Sequence, residues 1–235
     1  YDAEAIYATR EIAKAALEGR PMAEAEADRL VGEEVRRCTI GVSAVTCVTV
    51  AEFDLFRRLL PAGMPLYRLA HAVVGPATTP DHAARRGFLF VGRLLEQDSP
   101  NWRGLAWFLR ECWPLLRQAL PDAELTVAGQ LHLDHAALAV PGVKLLGGVA
   151  ELQPLYDAAR VFIAPVRFAA GVPIKIIEAT AGGLPTATTT LMARQLGWQD
   201  QGALAVADEP GALAAAAVAL HQDPTAWQAM RDAAG

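Results

Sequence analysis

The amino-acid sequence predicts an α/β protein: a doubly wound parallel sheet of Rossmann-like type, preceded by a partial N-terminal α/β segment. Three observations carry this. From Gly87 onward, strand-length apolar runs alternate with helical patterns. Those runs are near-continuously hydrophobic, as in parallel strands covered on both faces. A stretch rich in turn formers and charges, GPATTPDHAARRG, separates this half from what precedes it. The expected organisation is therefore an N-terminal segment at 1–75, a linker at 76–87 and a larger domain at 88–235.

Within the first segment, residues 1–36 set charged and Ala/Leu/Ile positions at helical spacing, broken at Gly19–Pro21. Two helices are expected, over 3–18 and 22–37. CTIGVS (38–43) reads as a strand, TVAEFDLFRRLL (49–60) as a helix, and PLYRLAHAVV (65–74) contains a strand. In the larger domain FLFVG (88–92), AELTVAG (123–129) and VKLLG (143–147) are strands, with a helix at 101–120 that contains Pro114. Helix ELQPLYDAA (151–159) and strand RVFIAPV (160–166) follow, then a helix opening at Pro173. LPTATTT (184–190) and ALAVAD (203–208) supply two more strands around the short helix LMARQLG, and helices are expected over 209–223 and 224–234.

The composition narrows the function. With 235 residues and 53% hydrophobic content, the chain can bury a substantial core. A net charge of −5 argues against a general binder of nucleic acid or anionic membrane. Three scattered cysteines, Cys38, Cys47 and Cys112, lack C-x-x-C spacing and fit small core residues in a reducing compartment. No apolar run reaches the length of a membrane span, and no secretory leader is read. The chain opens on Tyr1, so upstream sequence is expected, and a cytoplasmic location is expected for these residues.

The most informative stretch is FAAGVPIKIIEATAGGLP, Phe168 to Pro185. Pro173 marks a helix start, which puts Lys175 in the first turn, against the positive end of the helix dipole. A ligand phosphate at that N-terminus resolves the conflict, because free N–H groups and the lysine then serve one anion. Gly171 would let the ligand approach the backbone. Glu178, three residues on, would accept from hydroxyls beside the phosphate, such as a ribose diol. The competing reading is a solvated Lys175–Glu178 pair.

APVRFAAGVPIKIIEATAGGLPTATT resembles the nucleotide-sugar loop and helix of GT-B glycosyltransferases, particularly the family 4-like group. Gly171, Lys175, Glu178, Ala179, Ala181, Gly183 and Pro185 fall in register with that pattern. FLFVGRL resembles the first strand of the family's donor domain and its phosphate site, carried by Gly92 and Arg93. LTVAG, ending at Gly129, and VKLLGGVAELQPLYDAARVFIAP resemble later parts, the latter holding the base at a turn formed by Gly148 and Val149. The resemblance spans about 88–223, and 1–75 resembles the end of the family's acceptor domain. Two departures stand out: Ala170 occupies the place of a first glutamate, and Glu96, Gln97 and Asp98 stand where many members carry a lysine.

The resemblance implies transfer of a sugar from a nucleotide-diphosphate sugar to an unknown acceptor, with retention at the anomeric carbon. It implies no cofactor and no metal. Arg93 and Lys175 would be the catalytic cations, with Gly92, Gly129, Gly148, Val149, Arg167, Gly171, Val172 and Glu178 in contact with the donor. Membrane contact, if any, would be peripheral and through the acceptor domain. Two alternatives stay open: an epimerase on the same architecture, and a non-catalytic nucleotide-sugar-binding domain. A dehydrogenase is disfavoured, since no G-x-G-x-x-G joins a strand to a helix.

Other candidates have plainer readings. Asp2 and Glu4 could face a cleft between domains, but a surface-helix reading suits acidic residues near a helix start. His132, Asp134 and His135 invite a metal, but no third ligand pattern accompanies them. His71 ends an expected strand, as a cleft residue or a structural histidine. Trp102, Trp107 and Trp113 read as core. Ser43 has no His/Asp companion for nucleophilic chemistry.

Overall fold

The computed structural model describes residues 1–75 and 79–234. The chain forms two compact units: Tyr1–Ala72 with Arg167–Pro173 and Arg194–Gly197, and Val73–Val166 with Ile174–Ala193 and Trp198–Gly235.

The first unit contains β1 (Asp2–Ala3), α1 (Tyr7–Leu17), α2 (Glu24–Cys38), β2 (Val45–Cys47), α3 (Val50–Leu59) and β3 (Leu66–Arg68). Its strands form a parallel sheet in the order β1-β2-β3. Ala3, Ile6, Val31, Val35, Val45 and Phe56 make its core. Ile6 offers α1 no side-chain cap, and Glu34 of α2 takes over: its carboxylate accepts from the N–H groups of Tyr7 at 2.8 Å and Ala8 at 2.6 Å. α3 starts with a capping box, in which Thr49 and Glu52 satisfy each other's backbone N–H groups. Glu52 is buried, its Oε1 has no hydrogen-bond partner among the described residues, and burial raises its carboxyl above the ordinary range.

Sequence expectations fail here at short range. The strand expected at 38–43 is instead the end of α2 and a turn, with Gly41 at φ +71°, and pairing begins only at Val45. Asp2 and Glu4 are not on a helix: Asp2 lies in β1 and accepts from the Thr46 hydroxyl at 2.7 Å. His71 lies beyond β3, which ends at Arg68, and is exposed.

In the second unit β4 (Arg86–Val91) is followed by α4 (Pro100–Trp107), a π-turn at Phe108–Cys112 and α5 (Trp113–Ala119). Next come β5 (Leu125–Ala128), β6 (Val143–Gly147), α6 (Gln153–Ala158), β7 (Ala159–Ala164), α7 (Ile174–Ala181) and β8 (Thr186–Thr188). α8 (Thr190–Leu196), β9 (Leu204–Val206), α9 (Pro210–Gln222) and α10 (Pro224–Ala234) complete the chain. The six strands are parallel in the order β6-β5-β4-β7-β8-β9, a doubly wound sheet whose order reverses between β4 and β7. One face is covered by Trp102, Leu105, Phe108, Trp113, Leu213 and Leu220, so these tryptophans are core. The single helix expected at 101–120 is split because the Pro114 ring would strike the carbonyl of Arg110. The wider π-turn, which contains Arg110, absorbs that clash.

The expected linker carries more structure than its composition suggests. Residues 76–78 lie outside the described residues; beyond them come a 3-10 turn at His82–Ala84, the buried Arg85 and the start of β4. Arg85 has no solvent exposure. Its guanidinium donates to the carbonyls of Pro80 at 3.0 Å, Ala159 at 3.2 Å, Gly182 at 2.9 Å and Tyr156. It also lies 5.5 Å from the centre of the Trp227 ring.

Two outcomes follow for stability. Arg85→Ala leaves several buried carbonyls unpaired and is expected to cost roughly 3 kcal/mol in urea denaturation, with Arg85→Lys recovering only part. Because the folded-state pKa of Glu52 is raised, its stabilising contribution is full below the unfolded carboxylate pKa. It is lost as pH rises from about 4 toward the raised value. Glu52→Gln should remove that downward slope, read by thermal unfolding between pH 4 and 8; an unchanged slope would assign it to another group.

Candidate functional site

The strand order switches between β4 and β7, and in open parallel sheets ligands bind outside the carboxyl ends of the strands at such a point. Gly92 and Arg93 leave β4, Gly129 leaves β5, and Gly148 and Val149 follow β6, all at that end. Gly129 is at φ +138°, and a side chain there would come within 1.9 Å of the Gly92 carbonyl oxygen. Glycine at 129 is thus what allows the β4 and β5 exits to touch. A side chain at Gly92 would crowd the Asn101 carboxamide at 3.1 Å.

Lys175 is the second residue of α7. Its ammonium lies 5.2 Å from the centre of the Phe90 ring and donates to Asn101 Oδ1. The residue as a whole is half-buried, yet its ammonium end is enclosed, and burial pushes its pKa down to about 8. The other end of the Asn101 carboxamide donates from Nδ2 to the Arg93 carbonyl at 3.3 Å. Arg93 and Lys175 are therefore linked through one side chain that the sequence reading did not single out. The Arg93 guanidinium is largely exposed and lies 3.6 Å from the Glu96 carboxylate.

Glu178 turns to a different partner. It accepts from the Tyr156 hydroxyl of α6 at 3.3 Å. Burial, with Glu178 beside it, raises the Tyr156 pKa well above its usual value, so the phenol stays a donor. The solvated Lys175–Glu178 pair is thus not formed; each residue is held by a neighbour from another element. Tyr156 was legible only as a core residue of α6, since nothing in PLYDAA marks a contact with a helix some twenty positions away. Asn101 had one local signal: Ser99 caps α4 and Pro100 opens it, so Asn101 starts a helix directly after a strand-end loop.

Arg167, Gly171 and Val172 belong to the segment grouped with the first unit. Gly171 is at φ +79°, and a side chain there would meet the Glu4 carbonyl oxygen at 2.6 Å. Backbone packing against Glu4 and the positive φ thus both favour glycine at that position. Arg167 is exposed.

The HLDH cluster closes on itself. His132 Nδ1 accepts from the Asp134 N–H at 3.0 Å, and His135 Nδ1 lies 2.8 Å from the His132 carbonyl. Among the described residues no group of three His, Cys, Asp or Glu side chains is placed to hold a metal ion. No described helix is long and apolar enough to cross a membrane. A cavity of about 570 Å³ opens at the opposite, amino end of the strands, beside Arg86, Glu124 and His221. We place the site at the carboxyl end because the strand reversal, the enclosed lysine and the start of α7 coincide there.

Residues 85–223 match the model of the family described as glycosyl transferases group 1. An uncharacterized 44.6 kDa protein in the cps region of Klebsiella pneumoniae is 28% identical over 131 residues, 52% of this chain and 33% of that protein. HepE of Anabaena, solved in complex with UDP and glucose, aligns with a TM-score of 0.68 at 15% identity, over 100% of this chain and 64% of its own. A sucrose-phosphate synthase from Thermosynechococcus elongatus aligns with a TM-score of 0.68 at 14% identity, over 99% and 61%. The chain thus spans a third of the curated relative and less than two thirds of each of these structures. At such identities the structures establish a shared fold, the GT-B architecture with its Rossmann-like parallel sheet.

The enclosure of Lys175 has a direct readout. The chain has three lysines, Lys14, Lys144 and Lys175. In NMR of ¹³C-labelled lysine side chains, one ε-resonance should titrate near pH 8 and vanish in Lys175→Met. A Lys175 resonance that shows no titration near pH 8 would contradict the burial.

Proposed function

Because this chain belongs to the group 1 glycosyl transferases, we propose that it is the donor-binding part of an enzyme that transfers a sugar from a nucleotide-diphosphate sugar to an acceptor. The observation that carries this reading is Lys175. Its ammonium is enclosed at the start of α7 against a neutral amide and an aromatic ring, and no carboxylate partner is described for it. A cation placed so, in the first turn of a helix, is matched to a phosphate anion. The UDP held by HepE supports a nucleoside diphosphate as that anion.

In this reading the diphosphate meets Lys175, the α7 N-terminus and Arg93, which exchanges the exposed Glu96 for the ligand. Gly92 and Gly129, whose packing brings the β4 and β5 exits together, are proposed as backbone contacts to the donor. Gly148 and the exposed Val149 form the shelf for the base. Glu178, oriented by Tyr156, accepts from the ribose hydroxyls and is not a covalent nucleophile. Arg167, Gly171 and Val172 lie on the loop that enters α7 and are proposed as further donor contacts.

The bond from the anomeric carbon to the diphosphate oxygen breaks, and a bond to an acceptor hydroxyl oxygen forms. The hydroxyl proton leaves to the released nucleoside diphosphate. Negative charge grows on the leaving diphosphate during bond breaking. Lys175, Arg93 and the N–H groups stabilise that charge more than the ground state, and this differential accelerates transfer. Metal-independent, retaining transfer is the form we propose, with the N-terminal unit as the end of an acceptor domain. Residues 88–235 form the donor domain in this proposal.

Two measurements on the full-length protein test this. Lys175→Ala or Arg93→Ala should lower donor turnover by roughly one to two powers of ten; wild-type turnover in both would remove the mechanism. Acceptor-dependent release of nucleotide separates a transferase from an epimerase, and donor binding without any release would leave a binding domain. The second measurement is pH dependence. Lys175 must be protonated to hold the diphosphate, and burial pushes its pKa down to about 8. Affinity should therefore be full below pH 7 and fall as pH rises through 8. Binding at pH 8 should take up a proton, seen by calorimetry in buffers of different ionisation enthalpy.

A further inference from the structure

We propose that Asn101 is the positioning residue of the donor site, a neutral clamp that aims the Lys175 ammonium without neutralising it; this rests on Lys175 being the phosphate cation. Asn101 sits at a fixed point. Ser99 Oγ accepts from the Trp102 N–H at 3.3 Å, Pro100 opens α4, and the carboxamide projects from the first helical turn toward the end of β4. Its two ends act on different elements. Nδ2 anchors to the Arg93 carbonyl at 3.3 Å, which fixes the amide orientation and leaves Oδ1 to receive the Lys175 ammonium from α7. The structure spends a residue on this contact: any side chain at Gly92 would press within 3.1 Å of the Asn101 amide.

The residue type is the chemical point. An aspartate in the same place would be isosteric and would hold the ammonium more strongly. It would also cancel the charge that an incoming diphosphate needs and repel that diphosphate itself. An apolar residue would leave an enclosed ammonium without an acceptor, favouring its neutral form or its escape from the site. An amide oxygen accepts one hydrogen bond and carries no charge. The charged groups on the surrounding elements are occupied elsewhere: Arg93 lies beside Glu96 on the loop after β4, and Glu178 of α7 accepts from Tyr156. Burial lowers the Lys175 pKa, and among the described residues no carboxylate is paired with its ammonium.

The test uses the full-length protein and variants Asn101→Asp, Asn101→Ala, Lys175→Ala and Asn101→Ala/Lys175→Ala, each checked for cooperative unfolding. UDP, ADP and GDP are titrated by calorimetry, and the one that binds is compared with its own nucleoside. Asn101→Asp, the isosteric variant least able to disturb packing, should raise the Lys175 titration above pH 8 and weaken nucleoside-diphosphate binding about tenfold. Nucleoside binding should not change. Asn101→Ala should weaken the diphosphate by a similar factor while adding little to Lys175→Ala in the double variant. Unchanged diphosphate affinity in both Asn101 variants, with Lys175→Ala still weakened, would overturn the clamp and leave the donor site standing. Unchanged affinity in Lys175→Ala would overturn both.

Discussion

A single buried guanidinium holds the elements that carry the site. Arg85 is wholly enclosed and shares its donors among carbonyls at the end of α6, just past the end of α7 and before the 3-10 turn. Helix carboxyl ends carry partial negative charge and orphan carbonyls, so a cation placed between two of them answers both. Burial lowers its pKa only to about 10, and the group remains charged at neutral pH. Tyr156 on α6 and Glu178 on α7 meet because Arg85 ties the ends of those helices together. Lys175 gains its orientation from the same helix. The Trp227 ring lies against the guanidinium, and its Nε1 donates to the Arg160 carbonyl at 2.6 Å, so α10 is drawn into the same assembly.

The site uses the opposite solution to the same problem. Arg85 is surrounded by acceptors and is chemically spent. Lys175 has one amide oxygen and one aromatic face, which is enough to position an ammonium and too little to satisfy it. In the proposed reading, the difference separates a structural cation from one reserved for a ligand. It also accounts for the neighbouring glycines: Gly92 and Gly129 exist because Asn101 and the two strand exits need the same small volume. Close packing of protein against protein builds the seat, and the proposed anion binding rests on an ammonium that this packing encloses against a neutral amide and a ring.

Buried threonines show how the sheet keeps its carboxyl end ordered without charge. Thr188 donates to the Ala164 carbonyl at 2.8 Å and Thr189 to the Val166 carbonyl at 2.5 Å, both at the exit of β7. In TATTT the alternation of methyl and hydroxyl serves strand propensity and loop anchoring together. These bonds hold the segment from which the polypeptide departs toward α7.

By itself, the sequence determined the periodicities and hence the elements: near-continuous apolar runs for parallel strands, and helices framed by Ser99–Pro100, by Pro173 and by Gly182–Gly183. It also placed Lys175 in a first turn, where a lysine is electrostatically misplaced unless an anion is bound. Those features are local, decided within a few residues of backbone and dipole. Tertiary structure alone decided the partners. Asn101 with Lys175, Tyr156 with Glu178, and Arg85 with its carbonyls are separated by 74, 22 and up to 97 positions. The close approach of the Glu4 carbonyl to Gly171 is of the same kind, since a partner that many positions away leaves no local signal. A hydrogen bond or a close approach depends on two surfaces meeting in space, and sequence spacing carries no record of that meeting until the sheet has set the distances.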